Sequence, residues 1–173
     1  MNVLKLEKIV VNTSFGRMST SQPEFVKKIL PAIKQELSAL TGQASQSRAA
    51  RLSIAGFKLR EGMIVGLKTT LRGQRMRDFL SRTVNVALPR IRDFHGLSLR
   101  NVDQSGNLTF GIKEHTVFPE ISLEDSQVNF GLQVTFVLEQ PAPREEAIAF
   151  YRSLGVPLRK EEDSRKSKKR VTV

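Results

Sequence analysis

The chain has 173 residues, 39% of them hydrophobic and 26% charged, with a formal net charge of +11. That composition describes one folded domain with a real core, and so basic a balance points to nucleic acid or an anionic membrane surface as partner. The absence of cysteine excludes disulfides, thiolate metal sites and a cysteine nucleophile, and no apolar run approaches the roughly 20 residues that a bilayer span needs.

In chain order, Leu4–Asn12 reads as a strand that ends in a turn at Asn12-Thr13-Ser14 and Gly16. The start lacks the apolar region and small-residue cleavage site of a secretory signal. Ser21 and Glu24 have the spacing of a capping box, which predicts a helix from Gln22. Phe25, Ile29, Ile33, Leu37 and Leu40 would line its inner face, and Gly42 would stop it. Pro31 lacks an N–H, so a kink or a fresh helix start is expected there. A strand over Arg51–Ala55, a basic loop and a strand from Val65 to Arg72 follow. Arg75–Leu88 returns to helical spacing with Met76, Phe79, Leu80, Val84 and Ala87 inward, Arg75 and Arg82 outward, and Pro89 at the end.

Arg90–Gly96 reads as a loop, and Ser105-Gly106-Asn107 as a turn before a short strand, Leu108–Lys113. The strand Val128–Glu139 alternates most clearly, with Phe130, Leu132, Val134, Phe136 and Leu138 on one side. Pro143 and Gly155 bracket a last helix. Strands and helices without a regular βαβ count predict an α+β fold, and the alternation predicts an antiparallel sheet covered on one side only. Residues 1–160 are expected to form one domain, and 161–173 a charged, disordered tail.

From Ser45 to Arg100 there are 12 Lys/Arg and 3 Asp/Glu, a net +9 of the total +11. Alternation turns Lys68, Thr70 and Arg72 away from Val65, Leu67 and Leu71, offering cations and hydroxyls to a polyanion. Arg48, Arg51 and Arg75 belong to the same basic stretch. In Ala55–Gly62, a phenylalanine stands among basic residues between two glycines, a combination suited to stacking on RNA; the bland alternative folds Phe57 back onto the core.

Catalytic patterns are thin. Gly56 and Gly62 are one residue too far apart for a phosphate loop, and Met63 stands where its lysine would be. His95 and His115 lack ligand-spaced acids and read as surface or core-edge histidines, and Asp78 and Asp93 as salt-bridge partners of neighbouring arginines. Glu114 and Glu120 could chelate Mg²⁺, with nothing else to support it. No enzyme, metal or cofactor is implied. A free-standing RNA chaperone or translation factor would carry the same basic face, whereas a membrane-surface protein would need a basic amphipathic helix that is not evident.

The runs SRAARLSIAGFKLREGMIVGLKTTLRGQRM, LPRIRDFHGLS and FGIKEHTVFPEI, with the closing Gly155-Val156-Pro157-Leu158-Arg159-Lys160, resemble the bacterial form of the large-subunit ribosomal protein L-five family over nearly the whole chain. The resemblance implies a single α+β domain, an antiparallel sheet with helices packed on one face and a basic RNA-binding surface on the exposed sheet face and loops. It also implies a structural constituent of the large ribosomal subunit, cytoplasmic or organellar, that binds 5S rRNA in the central protuberance beside large-subunit rRNA and neighbouring ribosomal proteins. By the family's pattern, 5S rRNA contact falls on Asn12, Gln43, Phe57, Thr70 and Arg72. The loop Gly56–Gly66, with Lys58, Arg60, Glu61, Gly62 and Met63, would reach the elbow of peptidyl-site tRNA. Arg90, Arg92, His95, Glu114 and His115 would lie near a small-subunit head protein at an intersubunit bridge. The three glycines of the loop are expected to leave its tip free to follow the tRNA. Departures from the pattern are a start almost at the first strand where the family usually has a further helix, Ser14 for a glycine, Ile64 for a proline, His95 for an arginine, and the additional basic tail.

Overall fold

The computed structural model describes residues 4–21, 24–121, 126 and 128–159. The predicted tail and the helix start at Gln22 lie outside these residues. The elements in order are β1 (Leu6–Ser14), α1 (Gly16–Ser21), α2 (Leu30–Thr41), β2 (Gln46–Ala49), β3 (Ile64–Leu71), α3 (Gly73–Arg82), α4 (Leu88–Arg90), β4 (Leu108–Ile112), β5 (Leu132–Leu138) and α5 (Arg144–Ser153). The strands form one antiparallel sheet in the order β2-β3-β1-β5-β4. The fold is α+β.

Strand alternation decides which face is covered. Ile9, Val11, Leu67, Leu71, Leu108, Phe110, Ile112, Leu132, Val134, Phe136 and Leu138 are all buried, as are Leu30, Ile33, Leu37 and Leu40 of α2, Met76 and Phe79 of α3 and Tyr151 of α5. The helices therefore share one side of the sheet with a single apolar cluster. Aromatic pairs brace it: Phe15–Phe25, Phe79–Phe118 and Phe110–Phe136 have ring centroids 4.9, 5.8 and 5.4 Å apart.

Several expectations change in detail. There is no turn at Asn12: β1 runs on to Ser14, whose backbone is extended opposite Gly66. The glycine needed here is on the partner strand, because a Cβ at Gly66 would lie 2.7 Å from the Thr13 carbonyl oxygen. Ser21 ends α1 with its hydroxyl on the Met18 carbonyl and forms no capping box. The predicted first helix is a widened π turn over Phe25–Ile29 followed by α2, with Pro31 in the first turn of the new helix, where a missing N–H is harmless. Gly42 stops α2 in the left-handed conformation. A second π turn, Thr83–Ala87, joins α3 to α4, so the helical run lasts to Arg90 and Pro89 lies within it, in the first turn of α4.

The strand expected over Arg51–Ala55 is instead β2 at Gln46–Ala49. Leu52 and Ile54 imitate a strand pattern but are 72% and 44% exposed, so their alternation follows no buried face. Arg82 does not point freely outward: it is half-buried and its guanidinium donates to Glu120. The strand predicted from Val128 forms only from Leu132, because Phe130 instead stacks on the buried His115, ring centroids 3.9 Å apart.

Tyr151 closes the core beneath β4 and β5. It is fully buried, and its hydroxyl donates to the Gly106 carbonyl at 2.9 Å. Burial pushes the phenol well above its ordinary range, so the folded chain holds the proton where the unfolded chain releases it. That contribution is complete below pH ~10 and is lost as pH rises above it. Tyr151→Phe should destabilise by about 1 kcal/mol at neutral pH. Chemical denaturation on both proteins at pH 7 and above pH ~10 checks this: the gap should narrow at high pH.

Candidate nucleic-acid interface

The helix-free face of the sheet carries the side chains that alternation turns away from the core. Register places them in rows across the strands. Gln46 lies opposite Lys68, Lys68 opposite Asn12, Asn12 opposite Gln133, and Gln133 opposite Gly111. The next row holds Thr70, Val10, Thr135 and Thr109. The structure thus brings Asn12, Lys68 and Thr70 onto one surface from two distant segments, with Arg48 nearby opposite Gly66. The side chains of Asn12, Lys68 and Thr70 have no hydrogen-bond partner among the described residues, so their polar atoms face solvent.

Arg72 just beyond β3 is mostly exposed and has a partner that alternation does not reveal. Glu7 lies 3.6 Å from its guanidinium and 3.1 Å from the Lys8 ammonium. The Lys8 hydrogen bond, with smaller contributions from the charges of Lys8 and Arg72, holds the Glu7 carboxyl below its usual value. One acid thus tethers two cations at the rim of the face. Gln43 and Arg75, which sequence places far apart, meet where Arg75 Nη1 donates to Gln43 Oε1 at 3.4 Å. Arg51 and Arg60 are exposed on the adjoining loop.

That loop, residues 50–63, leaves the sheet edge between β2 and β3. Phe57 is 71% exposed, so it does not fold onto the core. The loop is cross-tied rather than free. Ile54 and Leu59 exchange both backbone hydrogen bonds, at 3.0 and 3.2 Å. Glu61 N–H donates to Ser53 Oγ at 2.9 Å, and Gly62 N–H to the Ala50 carbonyl at 3.0 Å. Arg60 N–H reaches the sulfur of the half-buried Met63. Lys58 sits at φ +53°, a left-handed conformation uncommon for a lysine, and it turns the chain at the tip. The expected glycine-given freedom is therefore replaced by a small preformed hairpin.

The residues predicted for an intersubunit contact divide. Arg90, Arg92 and Glu114 line one cleft of about 560 Å³, floored by Ile112, Leu97 and Phe94. His95 is exposed on the same loop, with Nδ1 2.6 Å from the Asp93 carbonyl. The closing Gly155–Arg159 segment straps that loop down: Leu97 N–H donates to Pro157 O, and Arg159 Nε to Gly96 O. His115 is a correction. It is fully buried, accepts the Phe130 N–H at Nδ1, and pairs through Nε2 with Glu36 at 2.9 Å, so it serves the core and presents nothing to a partner. Sequence reasoning also passed over Lys8, Glu7 and Gln133. Alternation in β1 and β5 put them in reach, but which face lay open was known only once the strands were ordered.

Comparisons with known proteins agree with this architecture. A family model described as "Ribosomal protein L5" matches residues 1–60, and a second, describing the C-terminus of the same ribosomal family, matches residues 64–158. The large ribosomal subunit protein uL5 of Syntrophomonas wolfei is 46% identical over 159 residues, covering 92% of this chain and 86% of that protein. Those of Oenococcus oeni and Leptospira biflexa are 44% and 41% identical, with 92% of this chain covered in each case and 86% and 84% of the relatives.

The cross-ties of the loop generate a local prediction. The amide protons of Leu59 and Gly62 should exchange at least ~10-fold more slowly than those of Leu52 and Ser53, which donate to nothing in the loop. Ser53→Ala should accelerate exchange at Glu61 while leaving β3 unchanged, as measured by NMR. Uniformly fast exchange from residue 51 to 62 would contradict the preformed hairpin.

Proposed function

Because this chain belongs to the ribosomal protein L5 family, and is a non-enzymatic structural constituent of the large ribosomal subunit, we propose that its open sheet face docks 5S rRNA in the central protuberance. The single observation that carries this is the juxtaposition of Asn12, Lys68 and Thr70, unpartnered among the described residues, on the one face that no described helix covers. Arg48, Lys8 and Arg72 flank them on the β1–β3 side, so cations border a patch that also offers amide and hydroxyl groups. Cations at the rim neutralise phosphates and fix the register of the RNA, while the centre can contact sugars and base edges. Phe57, exposed in the tip turn next to Lys58 and not at the hairpin base, offers a ring on which an RNA base can stack. Gln43, held by Arg75, extends the surface past the end of β2.

The hairpin tip serves a second RNA in this reading. Lys58 and Arg60 stand beyond the sheet edge, where peptidyl-site tRNA can meet them without displacing what lies on the sheet. Glu61, Gly62 and Met63 do not reach that tip: they fix the hairpin's base, through the Ser53, Ala50 and Arg60 bonds. A preformed tip loses little entropy on contact, which suits a ligand that arrives and leaves repeatedly. The cleft of Arg90, Arg92 and Glu114, with His95 beside it, is the surface we assign to a small-subunit head protein.

Two measurements test these assignments. In a salt series, log K for 5S rRNA should fall linearly with log salt, with a slope of roughly 0.7–0.9 per phosphate contact. Lys68→Ala should reduce that slope by about one contact and weaken binding by about 1–3 kcal/mol. Equal affinity for 5S rRNA and an unrelated structured RNA of similar length would sink the specific reading. Second, Lys58→Ala with Arg60→Ala should leave 5S rRNA affinity and subunit assembly intact while reducing tRNA retention in the peptidyl site. Each exposed contact is worth about 1 kcal/mol or less, so a several-fold loss is expected. Phe57→Ala should act in the opposite order, lowering 5S rRNA affinity first.

A further inference from the structure

We propose that the uncharged half of the open sheet face, centred on Gln133, reads ribose hydroxyls of the bound RNA and so sets its preference for RNA over DNA. This rests on the reading that the face docks 5S rRNA, and it concerns residues that reading leaves unused.

The first observation is register. Gln133 stands directly opposite Asn12 on one side and Gly111 on the other, in the row that Lys68 and Gln46 complete. Four strand spacings make the row roughly 19 Å long. An RNA segment lying along it over Lys68 and Asn12 has to pass over Gln133.

The second observation is composition. Outward positions on β4 and β5 are Thr109, Gly111, Gln133, Thr135 and Val137, without a charge among them. The cations within the strands of this face stand on β1, β2 and β3, and at the β4–β5 side the nearest charges, the exposed Lys113 and Glu139, lie past the strand ends. Edge strands exposed to water are normally guarded by charge against pairing with another chain, and β4 is an edge strand. Its bare outward face fits a surface that is covered in the assembled state.

The third observation is Gly111. A Cβ there would meet nothing within 4 Å, so packing does not require glycine, and a glycine within a strand weakens it. What its absent side chain leaves is backbone open to close approach from outside. Beside it, Thr109 Oγ1 donates to Thr135 Oγ1 at 3.1 Å, which leaves the Thr135 proton for an outside acceptor. The Gln133 amide has no hydrogen-bond partner among the described residues.

Neutral amides, hydroxyls and bare backbone are poor partners for phosphate. They match the 2′-hydroxyl, which donates and accepts, and which A-form RNA displays across a wide, shallow minor groove. DNA has no such group.

The test uses the full chain and two probes: 5S rRNA, and the same RNA carrying 2′-deoxynucleotides throughout the stretch that the protein protects from cleavage. Wild type should bind the deoxy probe about 10-fold more weakly. Gln133→Ala should lose a similar factor on the all-ribose probe, become indifferent to the deoxy substitution, and keep the wild-type salt slope. Gly111→Val, which has room to fold, should weaken binding to both probes by blocking close approach to the Gly111 backbone. A wild type that prefers 5S rRNA to unrelated RNA but binds both probes equally would overturn this proposal alone. A wild type without preference for 5S rRNA would overturn the docking reading and this one together.

Discussion

The structure depends on β1 being clamped between two strands that arrive from far along the chain. β3 pairs on one side and β5 on the other, and the Thr13 hydroxyl bonds the Gly131 carbonyl across 118 positions of sequence. On the β3 side, Gly66 is the residue that lets the backbones close, because any side chain there would meet the Thr13 carbonyl. These pairings are non-local, so their loop-closure entropy is met only when the apolar underside is buried at the same time. Core and open polar surface are therefore two sides of a single event: the alternation that buries Ile9, Val11 and Leu67 delivers Lys8, Asn12 and Lys68 to solvent.

The open face is divided electrostatically. Cations gather towards β1, β2 and β3, while β4 and β5 present amides, hydroxyls and glycine. A surface uniformly basic across all five strands would hold any polyanion equally, since phosphate contacts carry no sequence information. Gathering the cations to one side would give an RNA docked on this face an orientation. Glu7 sharpens this by holding Lys8 and Arg72 together at the rim, where an untethered arginine would sample many directions. Placing an acid inside a basic surface reduces the net attraction slightly, and the gain is geometric.

The hairpin after β2 is ordered by its own backbone and not by packing. Leu52, Ile54 and Phe57 are exposed, yet reciprocal Ile54–Leu59 bonds and the Glu61–Ser53 bond hold its shape. At the other end of the molecule the Gly155–Arg159 segment does the same for the Arg90–Gly96 loop, by borrowing backbone bonds from Leu97 and Gly96. Both loops therefore hold their shape through backbone bonds, so a partner docking there would have little ordering to impose.

Alternation and composition alone carry the α+β class, the inward residues of β3, β4 and β5, the outward Lys68, Thr70 and Arg72, and the concentration of charge between Ser45 and Arg100. These are local properties: period-two patterning requires only that some face be buried. They misplace β2, because Leu52 and Ile54 alternate on a surface loop, and they take His115 for a surface or core-edge residue. A histidine's burial depends on whether Glu36 and Phe130 happen to meet it, and no periodicity reports that. The row from Gln46 to Gly111 is invisible in the same way. Its residues, one from each strand of the sheet, become neighbours only through strand order and register, which long-range pairing decides and no local window contains.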